Sequence, residues 1–485
     1  MKDGLTDAEI AAFAEALPAD SWTRDPERIA PHLVEWRGAW HGRTPLLLLP
    51  KTTAEVAAAL KVAHARRIPI VPQGGNTGLV GGGVPDETGR SVLLSLQRLR
   101  RIRRIEEAGR LMVAEAGVTL AEADAAAADK GLRFPLSIAS GGSATVGGAI
   151  ATNAGGVHVL RHGSMRALTL GVEAVLADGT VIDELRRVHK DNTGYALTPL
   201  IVGSEGTLAV VTAAVLQLVP RPAALAAALV ATDSVDGALS VFLQAEKRLG
   251  ARLEAAEFFP RFGLELVLRH IPATRDPFPA PHPAYLLLEA AGEDPAALAG
   301  SMEDLLGAAL DAGVIRDAVI AKNEGERRAL WRLRESLSEA QKKEGASLKH
   351  DVAVPLDALS AFLAEAEAFI AAELPGARPC IFGHLGDGSL HLNIQAPAGA
   401  DADAQRAFRA RWPEVQRAIH DLVVAHGGSI AAEHGIGRLK REEIARLGDP
   451  GRIDAMRRIK RALDPAGILN PGVLLPPTPP PRSRS

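Results

Sequence analysis

Two of the chain's fourteen histidines stand seven residues apart in the run Phe382-Gly383-His384-Leu385-Gly386-Asp387-Gly388-Ser389-Leu390-His391-Leu392-Asn393. An apolar arm, a turn rich in Gly and Asp, and an alternating second arm predict a β-hairpin. On it His391 and Asn393, two apart, share a face, and His384 closes the first arm. Two imidazoles at the rim of one hairpin can converge on a cation, and a third ligand would make the open site that metal catalysis needs. Glu433, in Ala431-Ala432-Glu433-His434-Gly435-Ile436-Gly437, offers that ligand. Adjacent side chains diverge on an extended segment, which would turn Glu433 toward a metal and His434 toward a substrate. A histidine in apolar surroundings is more often a hydrogen-bonded core or turn residue, and His158, His162, His189, His282 and His350 have no setting that lifts them above that role. The single cysteine, Cys380, leaves any metal to nitrogen and oxygen ligands.

A second set of side chains is cationic. Residues 331–338 have a helical pattern that puts Arg334 and Ser338, four apart, on one face, and 347–355 has a strand pattern carrying Lys349. A guanidinium, a hydroxyl and an ammonium brought together would bind a carboxylate, with the Arg supplying a two-pronged fork. Standing alone, such residues are better explained as a solvated face with weak ion pairs.

The third feature is glycine. Pro72, Gln73, Gly74, Gly75, Asn76, Thr77 and Gly78 follow a β-like run, with Gly81, Gly82 and Gly83 just beyond. Glycines let backbone N–H groups converge on an anion such as a pyrophosphate, although a loop of this kind serves equally as a surface turn. Neither G-x-x-x-x-G-K-[ST] nor a helix-opening G-x-G-x-x-G is present. A second stretch, 140–156, alternates small and apolar residues with hydroxyls and an amide, a texture that can lie flat along a planar ligand.

These features need scaffolding. Thr52 and Glu55 cap a helix through Ala65, and a strand at 68–71 delivers the first glycine loop. Strands are expected near 91–96, 101–105 and 112–116, then a helix capped by Thr119 and Glu122 and ended by Gly131. Strand patterns return at 168–176 and 208–218, with a hairpin turn at Asp178-Gly179, and Pro220-Arg221-Pro222 marks a boundary. Beyond it, Ala/Leu/Glu helices alternate with short apolar runs such as 284–288, an α+β domain with helices on one sheet face. After Pro413 the pattern is mainly helical. The expected domains are 1–222, 223–411 and a helical segment 412–475, with a disordered proline-rich tail at 476–485. Such a division suits 485 residues, more than one core holds. With 47% apolar and 23% charged residues and net charge −3, neither disorder nor nucleic-acid binding is indicated. The N-terminal 20 residues pattern as an amphipathic helix, so no signal peptide is expected, and no apolar run reaches the ~20 residues of a membrane span.

Together with Gly203-Ser204-Glu205-Gly206-Thr207, the two glycine stretches resemble, over 47–222, the FAD-binding domain of the vanillyl-alcohol oxidase superfamily. The resemblance implies an α+β fold: a two-part FAD-binding domain, an α+β substrate (cap) domain and a helical C-terminal segment. It implies that Pro72 to Gly78 hold the FAD pyrophosphate. Ser137, Ser140, Gly141, Gly142, Thr145, Gly148, Asn153, Gly155 and Gly156 would line the isoalloxazine and ribityl chain, with Glu205, Gly206 and Asn470 also at the cofactor. Some relatives attach the flavin through a histidine or cysteine of the first loop; Gln73 stands there, so non-covalent FAD is expected. The histidine spacing and Glu433-His434-Gly435 are similar to the superfamily's D-2-hydroxy acid dehydrogenase branch. There the two histidines and the glutamate bind a divalent metal, usually zinc, and the next histidine is the base. That implies His384, His391 and Glu433 as ligands and His434 as catalytic and substrate-binding, with Ser389 departing from the asparagine usual there. In glutarate-type members Arg334, Ser338, Lys349 and Asn393 match substrate contacts.

The implied reaction is oxidation of a D-2-hydroxy acid, D-2-hydroxyglutarate foremost, to the 2-oxo acid by hydride transfer to flavin N5. D-lactate or glycolate is the nearest alternative, and a non-catalytic flavin-binding subunit, whose mark would be an eroded His/His/Glu-His set, a remote one. An electron-transfer flavoprotein or quinone pool is the implied acceptor, a homodimer is compatible, and a cytoplasmic or peripheral inner-membrane location is expected. The purified protein should be yellow and release intact FAD on acid precipitation; colour that stays with the precipitate would show a covalent bond.

Overall fold

The computed structural model describes residues 4–476, and the tail at 477–485 lies outside the described residues. The chain packs as two units: residues up to 155, 162–221 and from 434 onward form one, and 156–161 with 222–433 form the other.

In the first unit a four-stranded sheet has the order Trp22–Thr23, Leu47–Leu48, Val92–Ser95, Ile70–Gln73, the last three parallel. Parallel neighbours need a crossover, and helix Thr53–Arg66 supplies one. Thr52 caps it by accepting the Glu55 N–H, and Arg67 ends it at φ 52°. Val56, Ala59, Leu60 and Ala63 on its inner face meet Leu46, Leu48, Ile70, Val92 and Leu94. A five-stranded antiparallel sheet follows in the order Ile102–Glu106, Leu111–Glu115, Val210–Gln217, Thr169–Val175, Val181–Asp183, its last hairpin turned at Asp178-Gly179. Thr119 and Glu122 form a full capping box on helix Leu120–Ala128.

One departure concerns the second glycine stretch, seven residues of which form a helix, Val146–Thr152, rather than a flat loop. Thr145 caps it, and Val146, Ala149 and Ile150 are buried in the core beside the sheet. Its glycines permit close packing: a Cβ on Gly147 would lie 2.6 Å from the Ala116 Cβ.

The second unit is built on seven strands: β1 (Ala224–Thr232), β2 (Leu253–Pro260), β3 (Ala284–Gly292), β4 (Asp317–Ile320), β5 (Ser347–Ala353), β6 (Arg378–His384) and β7 (Ser389–Gln395). They lie in the order β4-β1-β3-β2-β6-β7-β5, with every pairing antiparallel. Helices cover both faces, not the one expected. Arg261–His270, Glu324–Glu335 and Leu337–Glu344 pack on the face of Leu229, Tyr285, Leu287 and Phe382. On the opposite face Gly237 of helix Val235–Leu249 meets Thr232, and Leu298 of helix Pro295–Asp311 meets Gly292. The reason is composition: β1, β2 and β3 are buried at nearly every position, so both faces need apolar cover.

The two glycine stretches of the first unit touch backbone to backbone: a Cβ on Gly75 would lie 1.9 Å from the Ser143 carbonyl oxygen, and one on Gly74 2.4 Å from Thr145 Oγ1. Gly75→Ala should therefore destabilise by about 1–3 kcal/mol and lower the bound FAD. Gly78→Ala, with no atom within 4 Å of the added methyl, should leave the melting temperature unchanged.

Candidate active site

The predicted hairpin forms, with β6 and β7 paired so that Phe382 is opposite His391 and Cys380 opposite Asn393. On the other side of β7, β5 sets Asp351 opposite His391 and Lys349 opposite Asn393. Because cross-strand partners share a face, one face of this sheet gathers His384, His391, Asn393, Lys349 and Asp351. His384 Nε2 lies 3.0 Å from Glu433 Oε1, and one donor atom each of His384, His391 and Glu433 falls within 4.8 Å of the others. Two imidazoles and a carboxylate are a donor set that suits zinc.

Sequence reasoning missed three residues here. Glu257 of β2 stands opposite His384 and is 0% exposed. Its Oε1 accepts from His384 Nδ1 at 2.6 Å, and its Oε2 lies 2.7 Å from Arg334 Nη2. Asp351 is buried and accepts the Glu433 N–H with both oxygens at 3.3 Å. Gln341 is buried and accepts from Asn393 Nδ2 at 2.9 Å. The available signal was a charged or amide residue in an otherwise apolar strand or helix face, as in Ala255-Ala256-Glu257-Phe258-Phe259.

Charges in this cluster hold one another. Burial opposes ionisation of Glu433, but the hydrogen bond and charge of His384, with His391, hold its carboxyl down at about 2. Burial also works against the charged forms of His384 and Glu257, and their mutual attraction prevails, lifting the imidazole well above its ordinary range and lowering the carboxyl.

Arg334 is buried with its guanidinium carbon 4.8 Å from the Phe382 ring centroid, and its Nε and Nη2 have no hydrogen-bond partner among the described residues, the contact of Nη2 with Glu257 being an ion pair. Lys349 and Arg334 both act on Cys380, whose thiol burial pushes up to about 12 against their charges. Ser338 is different. The helix breaks at Ser336, and Ser338 is exposed whereas Arg334 is buried, so their four-residue spacing does not put them on one face of a continuous helix.

In the first unit the cofactor candidates come together from distant segments. Gln73 is buried, donates to the His32 and Gly83 carbonyls and meets His32 Nδ1 at 2.5 Å. Asn76, at φ 54°, donates to the Val34 carbonyl. Thr145 Oγ1 accepts the Gly148 N–H, and Asn153 ends that helix at φ 51°. Pro72 abuts Gly206, where a Cβ would lie 2.6 Å from the Pro72 Cγ. Asn470 Nδ2 donates to the Gly82 and Glu205 carbonyls. Ser137 and Gly142 are exposed, Pro72, Gly74, Gly75, Thr77, Ser140 and Gly141 are half-buried, and Gly155 and Gly156 are buried. Gly78 and Gly142 have open space where a Cβ would stand. Apolar walls, capped helix ends and open glycines fit a planar cofactor with an anionic tail.

Glu205, buried at φ 51°, accepts the Ile436 and Gly437 N–H groups at 2.8 and 2.7 Å. Burial pushes its carboxyl up against these two bonds and the Lys440 charge. The segment after His434 is thus a bent loop rather than an extended run. At Gly435, φ 78°, a Cβ would lie 2.9 Å from Glu205 Oε1.

A family model described as FAD linked oxidases, C-terminal domain, matches residues 221–474, and one described as FAD binding domain matches 44–184. D-2-hydroxyglutarate dehydrogenase of Xanthomonas citri pv. viticola is 36% identical over 97% of each chain. The mitochondrial D-2-hydroxyglutarate dehydrogenase of Arabidopsis thaliana is 35% identical over 97% of this chain and 82% of its own. A putative mitochondrial D-lactate dehydrogenase of Schizosaccharomyces pombe is 36% identical over 92% and 85%. Among solved structures, p-cresol methylhydroxylase with substrate bound shares the fold at TM-score 0.75 and 15% identity, over 97% of this chain and 98% of that one. None of the described helices is long and apolar enough to cross a membrane.

Glu344, which ends helix Leu337–Glu344 and so anchors Gln341, accepts from His270, Arg378 and Arg269. Burial works against its charge, and these partners nevertheless hold its pKa at about 2, below the ordinary 4.5. A depressed carboxyl stabilises the fold above about 4.5 and loses that contribution as pH falls toward 2. Glu344→Gln should cost ~1–3 kcal/mol in urea unfolding at pH 7, with the deficit shrinking by pH 3.

Proposed function

The chain belongs to the FAD-linked oxidases as an FAD-dependent dehydrogenase of D-2-hydroxy acids, and from that premise we propose that it oxidises D-2-hydroxyglutarate to the 2-oxo acid with the help of a divalent cation, zinc by preference. The observation that carries the cation assignment is the approach of His384, His391 and Glu433 donor atoms to within 4.8 Å. Bound FAD, held non-covalently by the 72–78 loop, the 140–156 stretch, Glu205, Gly206 and Asn470, supplies the two-electron acceptor, and the cation supplies a Lewis acid that lowers the pKa of the substrate hydroxyl. His384, His391 and Glu433 would hold that cation. His434, next in the chain to Glu433, takes the hydroxyl proton. Arg334, Lys349 and Asn393, with Ser338 as a further contact, orient the carboxylates. What favours a two-carboxylate substrate is that Lys349 and Asn393 face each other across β5 and β7 while the buried Arg334 keeps an unpartnered Nε. D-lactate or glycolate is the second reading, favoured by the D-lactate dehydrogenase name of one relative. Cys380, the one cysteine and buried, suits a reducing compartment, so we place the protein in the cytoplasm, with peripheral contact at an inner membrane if a quinone rather than an electron-transfer flavoprotein accepts the electrons.

A substrate panel with an artificial electron acceptor tests the assignment. Lys349→Met should raise KM for D-2-hydroxyglutarate by ~30-fold or more and spare D-lactate, the scale expected on deleting one partner of a buried charge pair; equal losses on both would favour the one-carboxylate reading. His434→Ala should keep FAD and metal but slow flavin reduction by ~10² to 10⁴-fold, the usual contribution of a general base. Loss of metal in that variant would make His434 a ligand instead.

A further inference from the structure

We propose that Glu257 is a positioning residue that joins the cation site to the substrate-carboxylate site, one oxygen aiming His384 and the other aiming Arg334. The proposal rests on the assignment of those two sites made above.

Glu257 stands in a strand whose neighbours are Ala255, Ala256, Phe258 and Phe259, and none of its surface reaches water. An ionised carboxylate there needs a partner at each oxygen, and it has two of different kinds: Oε1 hydrogen-bonds His384 Nδ1 at 2.6 Å, and Oε2 makes an ion pair with Arg334 Nη2 at 2.7 Å without hydrogen-bond alignment. The placement is rigid. Pairing of β2 with β6 sets Glu257 opposite His384, so sheet register fixes the carboxylate. The rest of the cluster closes a ring: Arg334 lies over Phe382, Phe382 packs at 5.0 Å against His391, and the His391 ring meets that of His384 at 5.9 Å.

Two consequences follow from one carboxylate serving both groups. Accepting from Nδ1–H fixes the His384 tautomer and leaves Nε2, the nitrogen facing Glu433, as the donor to a cation; such partners also make the imidazole a better ligand. The ion pair at Nη2 holds the Arg334 guanidinium beside Glu257 and leaves its N–H groups, Nε among them, for a substrate carboxylate. His384 and Arg334 share the same negative charge, so a change at one is felt at the other, and by linkage the coupling is reciprocal. A scaffold-only role for this buried pair would change stability but neither affinity in a particular direction.

The test is equilibrium dialysis of purified, FAD-loaded full-length protein against buffered free Zn²⁺, with the metal counted by elemental analysis and KM for D-2-hydroxyglutarate measured in parallel. Wild type should take up one Zn²⁺ per chain, and His391→Ala should not. Equal uptake by the two would overturn the cation assignment itself, whatever Glu257 does. Given that difference, Glu257→Gln should bind Zn²⁺ ~10- to 100-fold more weakly, the scale seen when the partner of a ligating histidine is removed, and should also raise KM. Glu257→Asp, which keeps the charge, should recover part of both. Zn²⁺ affinity and KM at wild-type values in Glu257→Gln would overturn the inference. Should that variant not fold, Arg334→Gln decides. It leaves the carboxylate wholly to His384 and removes a nearby positive charge, so Zn²⁺ should bind about fivefold tighter or more although substrate binds worse. Unchanged or weaker Zn²⁺ binding in Arg334→Gln would overturn it.

Discussion

A carboxylate with no surface in water governs the second unit. Glu257 can stay charged only while His384 and Arg334 are held at its two oxygens, and each must come from a different element: the histidine from the end of β6, the arginine from the last turn of helix Glu324–Glu335. The pairing of β2 with β6 and the packing of that helix on the Phe382 face are thus tied to one charge. Once they are met, β7 and β5 carry His391, Asn393, Asp351 and Lys349 onto the same face by strand alternation.

The cofactor unit solves the corresponding problem by other means. Glu205 is also buried, but its carboxylate is satisfied by two backbone N–H groups, and burial pushes its pKa up where that of Glu257 is pulled down. Amide dipoles offset desolvation less than a paired imidazole and guanidinium do. Glu205 also holds the bent segment that follows His434, with its own backbone in the left-handed region. The glycines of this unit work in the same spirit, since at Gly74, Gly75 and Gly206 a side chain would collide with a neighbouring segment.

Likeness to p-cresol methylhydroxylase at 15% identity is a likeness of fold alone, and a fold does not dictate a substrate. The titratable and cationic side chains gather on one face of β5, β6 and β7, and the family itself is shown by identity of about 35% to D-2-hydroxyglutarate dehydrogenases over 97% of the chain. Two imidazoles, carboxylates and an ammonium on that face, with the guanidinium of Arg334 from the helix packed against it, are suited to an anion bearing a hydroxyl beside a carboxylate.

Short-range physics was legible in the chain itself. Thr52 with Glu55 and Thr119 with Glu122 cap helices because a side chain reaches an amide three residues on, and Asp178-Gly179 turns because Gly179 accepts φ 84°. The hairpin carrying His384 and His391 follows from alternation and a Gly/Asp turn. Interactions spanning a hundred residues were not legible. Glu257 meets a histidine 127 residues away, and nothing near it in the chain announces that partner. The break at Ser336, the helix inside the second glycine stretch and the helices on both sheet faces escaped for the same reason, since packing against distant segments overrides local pattern. The chain alone thus determined which groups could do chemistry and which local elements carry them. Only tertiary structure decided which buried charges face each other, because desolvation makes a charge depend on its neighbours in space and strand register, not sequence distance, chooses them.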